Sequence, residues 1–336
     1  MDSLTHVAFG AAIGMAAMGR RTALWKAALW GAVAQTLPDL DVLLDHGDPI
    51  RDMVLHRGET HSLFWLGLVS LPLAAAIARL HGEQAQWRRW WLAIALALLA
   101  HPLLDAMTVY GTRLWLPFSN HPVGLGSIFI IDPLYTLPLL LGAGWALASR
   151  GSARGRAANA AGLLLSAAYL AWGAAAQHRV EQIARASLAA DGIAATQVLV
   201  TPTPFNSLLW RVVAMDSDSY REGFYSLLDE RPRIAFDRFA RGAALADDLK
   251  DIDGVQRLAA FSKGFYALRD DGGRLLISDL RMGQEPAYVF TFAIAERNSP
   301  PTPLTPAVQL GARPDIGRTL AWLWRRALGE PLPPPR

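Results

Sequence analysis

His101 and Asp105 stand four residues apart, just after the apolar run from Trp90 to Ala100. On an α-helix this spacing places both side chains on one face, a turn apart, where both can bind the same ion. Ionisable groups at membrane depth are costly, and they usually face a bundle interior or a watery cavity. The pair therefore indicates either a metal-binding site or a hydrogen-bonded structural pair, and other parts of the chain must distinguish the two.

More histidines and aspartates stand at the ends of other apolar segments. His6 opens the first segment in "LTHVAFG", Asp39 and Asp41 close the second in "LPDLD", and His56 and His61 precede the third in "HRGETHS". If the segments cross a membrane in alternating directions, these ends and the end of the fourth segment lie on one side. The predicted metal ligands are then His6, Asp39, Asp41, His56, His61, His101 and Asp105.

Imidazole nitrogen and carboxylate oxygen are ligands that suit Zn²⁺, Mn²⁺ or Fe²⁺. Seven candidates exceed the four positions of one tetrahedral zinc ion, so we expect a centre of two divalent ions, with Zn²⁺ first and Mn²⁺ second in preference. Two metals polarise an ester and lower the pKa of a bridging water, which is the chemistry of hydrolysis. A buried polar network or proton relay is the alternative that the residues leave open.

Further residues in the same motifs have possible roles in the reaction. Asp41 and Asp105 are predicted to be catalytic as well as metal-binding. Arg57 and Arg113 could bind a phosphate or carboxylate through their planar guanidinium groups, or could be ordinary surface arginines. The other acids of the loop after the second segment are predicted to form a solvated surface: Asp45, Asp48, Asp52 and Glu59.

The composition indicates a membrane protein, because 52% of the 336 residues are hydrophobic and the mean hydropathy is +0.21. Six apolar runs predict an α-helical transmembrane bundle of about six segments over residues 1–176. The first two runs are short, so we expect them to be tilted, re-entrant or shielded by longer helices. The first is expected to be retained rather than cleaved as a signal peptide. Thr60 or Ser62 could cap the third helix, and Asp132 before Pro133 the fifth.

From about residue 177 the pattern changes to short alternating stretches such as "TQVLVTP" and "RLLISDL", which are typical of strands. A soluble α+β domain is predicted for 177–330, with a hairpin turn in "RDDGGR". The proline-rich tail, 331–336, is expected to be unpacked. Dispersed basic residues argue against nucleic acid as a partner, and the absence of cysteine excludes disulfides and thiolate metal sites.

The charges of the connecting loops predict an orientation. Arginine and lysine cluster between the first and second, third and fourth, and fifth and sixth segments, whereas the loop over 38–59 is acidic. Because short cytoplasmic loops are enriched in lysine and arginine, we expect the metal cluster and the C-terminal domain to be extracytoplasmic.

Four motifs in this order, "DSLTHVAFG", "LPDLDVLL", "HRGETHS" and "HPLLDAMTVYGTRLWLPFS", resemble the membrane-bound metal-dependent hydrolase family, whose members are related to a LexA-regulated bacterial inner-membrane protein. The resemblance is close over residues 1 to 135 and looser through "LWRVVAMDSDSYREGFYSLLD". It implies a multi-pass hydrolase of the bacterial inner membrane. The spacing of His101 and Asp105 is in turn similar to a pattern in zinc-dependent phospholipase C and related single-strand nucleases, which implies a phosphodiester substrate. Those enzymes also use a second helical histidine–acid pair and the N-terminal amine, which the sequence does not place.

The sequence thus predicts a membrane-embedded metal-dependent hydrolase that acts on a phosphoester or lipid-like ester, with the lipid bilayer and a small-molecule or lipid substrate as its partners. The alternative is a non-catalytic membrane protein that binds or conducts ions, regulated by its C-terminal domain. A transport pathway needs polar residues that continue to the opposite side, yet the other segment ends show no second His/Asp cluster. This favours the enzyme.

Overall fold

The computed structural model describes residues 1–311 and 316–336. The chain divides into two compact units, one formed by Met1–Leu43 and His56–Ala174 and the other by Leu44–Leu55 and Ala175–Arg336. The helices are α1 Ser3–Met18, α2 Leu24–Thr36, α3 Pro49–Leu55, α4 Leu63–Leu80, α5 Trp87–Ala106, α6 Pro133–Ala148, α7 Ala153–Ala190, α8 Ala246–Leu249, α9 Asp253–Phe261 and α10 Ile316–Ala327. Short 3₁₀ turns lie at Pro38–Leu43, Glu59–His61, Gln84–Gln86 and Ala243–Leu245.

Local capping rules set several helix starts in the first unit. The Ser62 side chain accepts a hydrogen bond from the Trp65 amide at the start of α4. Asp132 likewise accepts from the Leu134 amide, directly before Pro133 at the start of α6. Both predicted caps are confirmed, with Ser62 rather than Thr60 at α4.

Glycines allow α1 and α2 to pack at very close range. A Cβ atom on Gly10 would lie 2.2 Å from the carbonyl oxygen of Gly31, and one on Gly31 would lie 2.1 Å from the carbonyl oxygen of Gly10. Small residues at a helix interface permit such backbone approach in membrane bundles. This packing brings the start of α1 and the end of α2, with their polar side chains, close together.

The expectation of about six membrane segments is not supported. Within 1–311 and 316–336, three helices are long and apolar enough to cross a membrane: Leu63–Leu80, Gln84–Ala106 and Ala153–Ala190. The helices α1 and α6 are apolar but have 16 residues each, and α2 has 13. At 1.5 Å per residue, 16 residues span about 24 Å, less than the ~30 Å hydrocarbon core.

The second unit contains the predicted sheet domain. Its strands are β1 Gln197–Pro202, β2 Leu209–Met215, β3 Ser219–Ser226, β4 Phe236–Ala240, β5 Tyr266–Asp271, β6 Arg274–Asp279, β7 Gly283–Gln284, β8 Ala287–Tyr288, β9 Thr291–Glu296 and β10 Thr302–Leu310. They form antiparallel sheets with the orders β1-β2-β3-β4 and β10-β9-β6-β5, and a ribbon β7-β8. The predicted hairpin is confirmed between β5 and β6, where Gly272 and Gly273 adopt positive φ angles.

The tail was expected to be unpacked, and this is wrong. Leu332 packs against a cluster that includes Trp322 of α10. The Arg336 guanidinium donates to Glu222 Oε1 at 2.5 Å and to Asp237 Oδ2 at 2.7 Å. Because the Glu222 carboxylate is buried, pairing with the Arg336 cation offsets the cost of its desolvation. The proline-rich composition of the tail does not indicate this pairing.

Candidate metal centre

Four segment ends of the first unit meet at one place. His6 lies in the first turn of α1, Asp39 follows α2, His61 precedes α4, and His101 and Asp105 lie in the last two turns of α5. One ligand atom from each of Asp39, His61, His101 and Asp105 lies within 4.8 Å of the others. These four residues therefore form a group that could bind a metal ion.

The ligand atoms of this group are closely and evenly spaced. The Nε2 atoms of His61 and His101 are 3.1 Å apart. Asp39 Oδ1 lies 3.3 Å from His61 Nε2 and 3.4 Å from His101 Nε2. Asp105 Oδ2 lies 3.4 Å and 3.3 Å from the same two nitrogens. Two imidazoles and two carboxylates thus direct one atom each at a common point.

Hydrogen bonds behind the rings determine which ring nitrogens carry protons. His101 Nδ1 lies 2.5 Å from the carbonyl oxygen of Gln35, which can only accept a hydrogen bond. The Thr60 hydroxyl donates to Asp41 Oδ2 at 2.6 Å, so at 2.9 Å from His61 Nδ1 it accepts. Both Nδ1 atoms are therefore donors, and both neutral rings present an unprotonated Nε2. Two such lone pairs cannot hydrogen-bond to each other.

The carboxylate atoms of the group also lack partners. Asp39 Oδ1 and Asp105 Oδ2 are buried and, within the described parts of the chain, accept no hydrogen bond. A buried polar atom without a partner costs about 1–3 kcal/mol. A cation bound at the common point would satisfy both oxygens and both Nε2 atoms.

His6 lies directly against this group. Its Nε2 is 3.3 Å from Asp105 Oδ1 and 4.0 Å from Asp39 Oδ2. Its ring stacks on that of His101, with centroids 3.9 Å apart. Neither ring nitrogen of His6 has a hydrogen-bond partner among the residues described. His6 could therefore serve as a ligand on the Oδ1 side of Asp105.

Asp41 and His56 lie behind His61 and do not face the common point. Asp41 Oδ1 is 2.7 Å from His56 Nδ1, and Asp41 Oδ2 accepts from the Arg57 amide at 3.0 Å and from Thr60. Asp41 Oδ2 is 3.6 Å from His61 Nδ1. Burial alone would raise the pKa of Asp41, but hydrogen bonds from His56 and Thr60 outweigh it and hold the pKa below its ordinary value. This carboxylate orients His61.

The two predicted substrate-binding arginines lie in different positions. The Arg57 side chain is buried, 3.3 Å from Asp105 Oδ1, and donates to Thr108 Oγ1 at 3.2 Å. Its guanidinium lies over the Tyr110 ring at 4.9 Å. Arg113 is half-buried, and its backbone amide donates to the Arg57 carbonyl oxygen at 3.1 Å. Arg57 thus belongs to the cluster by its side chain, and Arg113 is joined to Arg57 by a backbone hydrogen bond.

The sequence reasoning missed several contacts of the cluster. The Met1 amine contacts Asp105 Oδ1, and the Gln35 carbonyl orients His101. The sequence predicts Thr60 only as a helix cap, although its hydroxyl stands directly before the candidate ligand His61 in "GETHS", and this position indicates a possible contact with that ligand. A backbone carbonyl such as that of Gln35 leaves no signal in the sequence.

The members of the cluster differ in their exposure to solvent. His6, His61, His101 and Asp105 are fully buried, whereas 27% of the Asp39 side chain is exposed. The 3₁₀ turn that carries Asp39 also exposes apolar side chains: Leu40 at 55%, Val42 at 71% and Leu43 at 76%. A molecule that reaches the cluster past Asp39 therefore meets an apolar rim.

Helices of membrane-spanning length and a buried His/Asp cluster define a membrane protein with a candidate metal site. The chain belongs to the YdjM inner membrane protein family, whose family model matches residues 1–180. This membership agrees with the predicted inner-membrane localisation.

The chain is also similar to two other proteins. The chain is 36% identical over 143 residues to the uncharacterized protein YfhP of Bacillus subtilis (strain 168), covering 40% of this chain and 42% of that protein. It is 33% identical over 120 residues to the inner membrane protein YbcI of Escherichia coli (strain K12), covering 35% of this chain and 68% of that protein. No solved structure matches.

Proposed function

We propose that the protein is a membrane-embedded metal-dependent hydrolase whose His/Asp cluster binds divalent cations. One observation carries the proposal: two unprotonated Nε2 atoms and two unpartnered carboxylate oxygens converge at distances of 3.1–3.4 Å. Ligands at 2.0–2.1 Å from a tetrahedral zinc ion lie about 3.3–3.4 Å from one another. The donor set therefore fits Zn²⁺, with Mn²⁺ as the second choice.

A second ion is proposed on the other side of Asp105. His6 Nε2 and Asp39 Oδ2 are atoms that would hold it, together with Asp105 Oδ1 once the Met1 amine no longer contacts that oxygen. A fall from two ions to one in His6→Ala would support this assignment.

The residues around the cluster have defined tasks in this proposal. When bound, the ions would polarise an ester and make a water nucleophilic near neutral pH. Asp105 holds the cluster together, because it lies between His6, His101 and Arg57. Arg57, whose Nε has no hydrogen-bond partner within the described chain, would bind an anionic group of the substrate. Asp41 would act through Thr60 and His61.

The apolar rim favours a lipid-like substrate. Leu40, Val42 and Leu43 are exposed and lie in the same 3₁₀ turn as Asp39, so an acyl chain would pack there while its polar ester reaches the cluster. A phosphoester is the substrate that the resemblance of the His101 and Asp105 spacing to zinc-dependent phospholipase C would imply. We therefore propose a phosphoester or lipid-like ester as the substrate class.

The proposed orientation has the cluster outside the cell. The opposite end of the first unit is basic, and Lys26 pairs there with Glu83 at 2.9 Å. Under the positive-inside rule this end is cytoplasmic. A cysteine replacing the exposed Ser299 of this cysteine-free chain should react with a membrane-impermeant thiol reagent in intact cells, whereas one replacing Arg154 should not. The reverse labelling pattern would place the cluster in the cytoplasm.

A direct experiment tests the hydrolase. Detergent-purified protein is analysed for bound metal and assayed on a phosphodiester, an acyl ester and phospholipid vesicles. We expect hydrolysis that a chelator abolishes and that Zn²⁺ or Mn²⁺ restores, and no hydrolysis by Asp105→Asn. Activity that survives removal of the metal would contradict the mechanism.

The burial of the cluster favours a second candidate, a non-catalytic metal-binding or ion-conducting protein. Four of its side chains are fully buried, as in a closed structural metal site. Stoichiometric metal without hydrolysis of any of the three substrates would favour this candidate.

A further inference from the structure

A short helix of the second unit is inserted in the chain between two of the four segments that build the cluster. The segment Leu44–Leu55, which contains α3, belongs to the second unit, although the chain on both sides of it belongs to the first. Asp41 stands three residues before this segment and His56 follows it directly. The side chains of Asp41 and His56 contact each other at 2.7 Å, so the two ends of the inserted loop meet there. We call this pair of residues the neck of the loop.

Apolar packing holds α3 within the second unit. Ile50, Met53 and Val54 are buried. A Cβ atom on Gly254 of α9 would lie 2.8 Å from Ile50 Cδ1, so the backbone of α9 lies close against the Ile50 side chain. Burying a side chain of this size contributes about 1.5–3 kcal/mol.

Asp48 adds a polar connection between α3 and β10. Its Oδ1 accepts hydrogen bonds from the Ile50 and Arg51 amides at 2.9 Å and 3.1 Å, which caps α3. Its Oδ2 accepts from the Ala307 amide of β10 at 2.9 Å. Asp48 was predicted to belong to a solvated surface, and this is wrong, because the partner amide comes from a residue 259 positions away. The neighbouring Arg51–Asp253 pair is exposed and contributes little.

We propose that Asp48 and Ile50 are positioning residues of the metal centre. By anchoring α3, they keep the inserted segment folded, so that its two ends stay close together at the neck, and Asp41 in the neck orients His61 through Thr60. If α3 were released, Asp41 and His56 would be joined by a free loop, and the binding of a metal would have to order it. The inference rests on the proposed metal-binding function and extends it to residues that contact no ligand atom.

The test compares metal affinity with stability in the full-length protein, using Zn²⁺ as the probe and a chromogenic chelator as the competitor. Ile50→Ala and Asp48→Ala should weaken Zn²⁺ binding about 10-fold, within the range known for groups that orient metal ligands. Val213→Ala, which truncates a fully buried side chain of β2, is the matched control. It should lower the unfolding temperature and leave Zn²⁺ affinity within about twofold.

If these variants fail to fold, an insertion can test the positioning of the neck without disturbing the packing of α3. Four Gly/Ser residues between Leu44 and Asp45 leave the contacts of α3 intact but lengthen the neck, and should also weaken Zn²⁺ binding. The same insertion between Gly272 and Gly273, in an exposed hairpin turn, should not. Wild-type affinity in the folded α3 variants and in the Leu44 insertion would overturn this inference alone. A wild-type protein that binds no Zn²⁺ would overturn the proposed function and this inference with it.

Discussion

Two buried polar clusters in this protein differ in how their carboxylates are paired. In the sheet domain, Glu222 is almost fully buried, and Arg211 and Arg336 donate to its two oxygens at 2.6 Å and 2.5 Å. In the helical unit, Asp39 Oδ1 and Asp105 Oδ2 face the Nε2 atoms of His61 and His101 and, in the described chain, accept no hydrogen bond. The first cluster is neutralised by the protein itself, whereas the second leaves two carboxylate oxygens without a hydrogen-bond donor, which a cation from outside could bind.

A tyrosine near Glu222 is also paired within the protein. Tyr220 donates to Glu285, which Arg269 also contacts. Burial and the hydrogen bond to Glu285 raise the pKa of Tyr220 above its ordinary value, so this side chain remains a neutral donor. Burial of charged residues therefore does not by itself indicate a functional site. The lack of a donor to buried carboxylate oxygens is the more specific observation.

The largest expected effect is the loss of metal when a ligand is removed. His101→Ala and Asp105→Ala should each abolish most metal binding in membrane-inserted protein, measured by elemental analysis. His81→Ala is the control, because His81 accepts from the Trp30 indole at the basic end of the unit and not at the cluster. Unchanged stoichiometry in both ligand variants would make the two buried clusters equivalent and remove the basis for a metal site.

The reciprocal substitution should affect stability and not metal. Glu222→Gln leaves Arg211 buried beside a neutral side chain, and breaking one partner of such a pair costs about 3–5 kcal/mol. Denaturant unfolding of the sheet domain should show this loss, while the metal content of the folded protein stays at the wild-type level. A parallel loss of metal would show that the two clusters are coupled.

The change in thermal stability on adding metal should also distinguish the two clusters. At a concentration 100 times the dissociation constant, a ligand stabilises the folded state by about 2.7 kcal/mol. Wild type and Glu222→Gln should both gain thermal stability with Zn²⁺ and lose the gain with a chelator, whereas Asp105→Ala should not respond. A response of Asp105→Ala equal to that of wild type would place the stabilising ion elsewhere.

The smallest effect concerns the orientation of a ligand. Thr60→Val removes the hydroxyl that links Asp41 to His61, so Zn²⁺ affinity should fall about 10-fold. Thr60→Ser retains the hydroxyl and should restore most of the affinity in the same competition assay. Equal affinities of the valine and serine variants would show that His61 needs no support from Asp41.

Features that depend on neighbouring residues could be predicted from the sequence. Ser62 and Asp132 cap helices because their side-chain oxygens reach amides two or three residues ahead. The β5–β6 hairpin forms because two glycines permit positive φ angles in the turn. Apolar content likewise predicted a membrane protein, but it overestimated the number of spans. The buried small residues of α1 and α2 pack against each other, and hydropathy alone does not distinguish this packing from contact with lipid.

The sequence alone determined which residue types are available at the segment ends, because the alternation of apolar runs orders them along the chain. Only the tertiary structure decided which of them face a common point. Asp39 and Asp41 are two residues apart, yet one directs an oxygen at the ligand group and the other lies behind His61. The same applies to α3, whose polar neighbourhood gave no sign that it packs on α9 and β10. The direction in which a side chain points and the surface on which a helix packs depend on residues distant in the chain. A local sequence pattern therefore does not predict them.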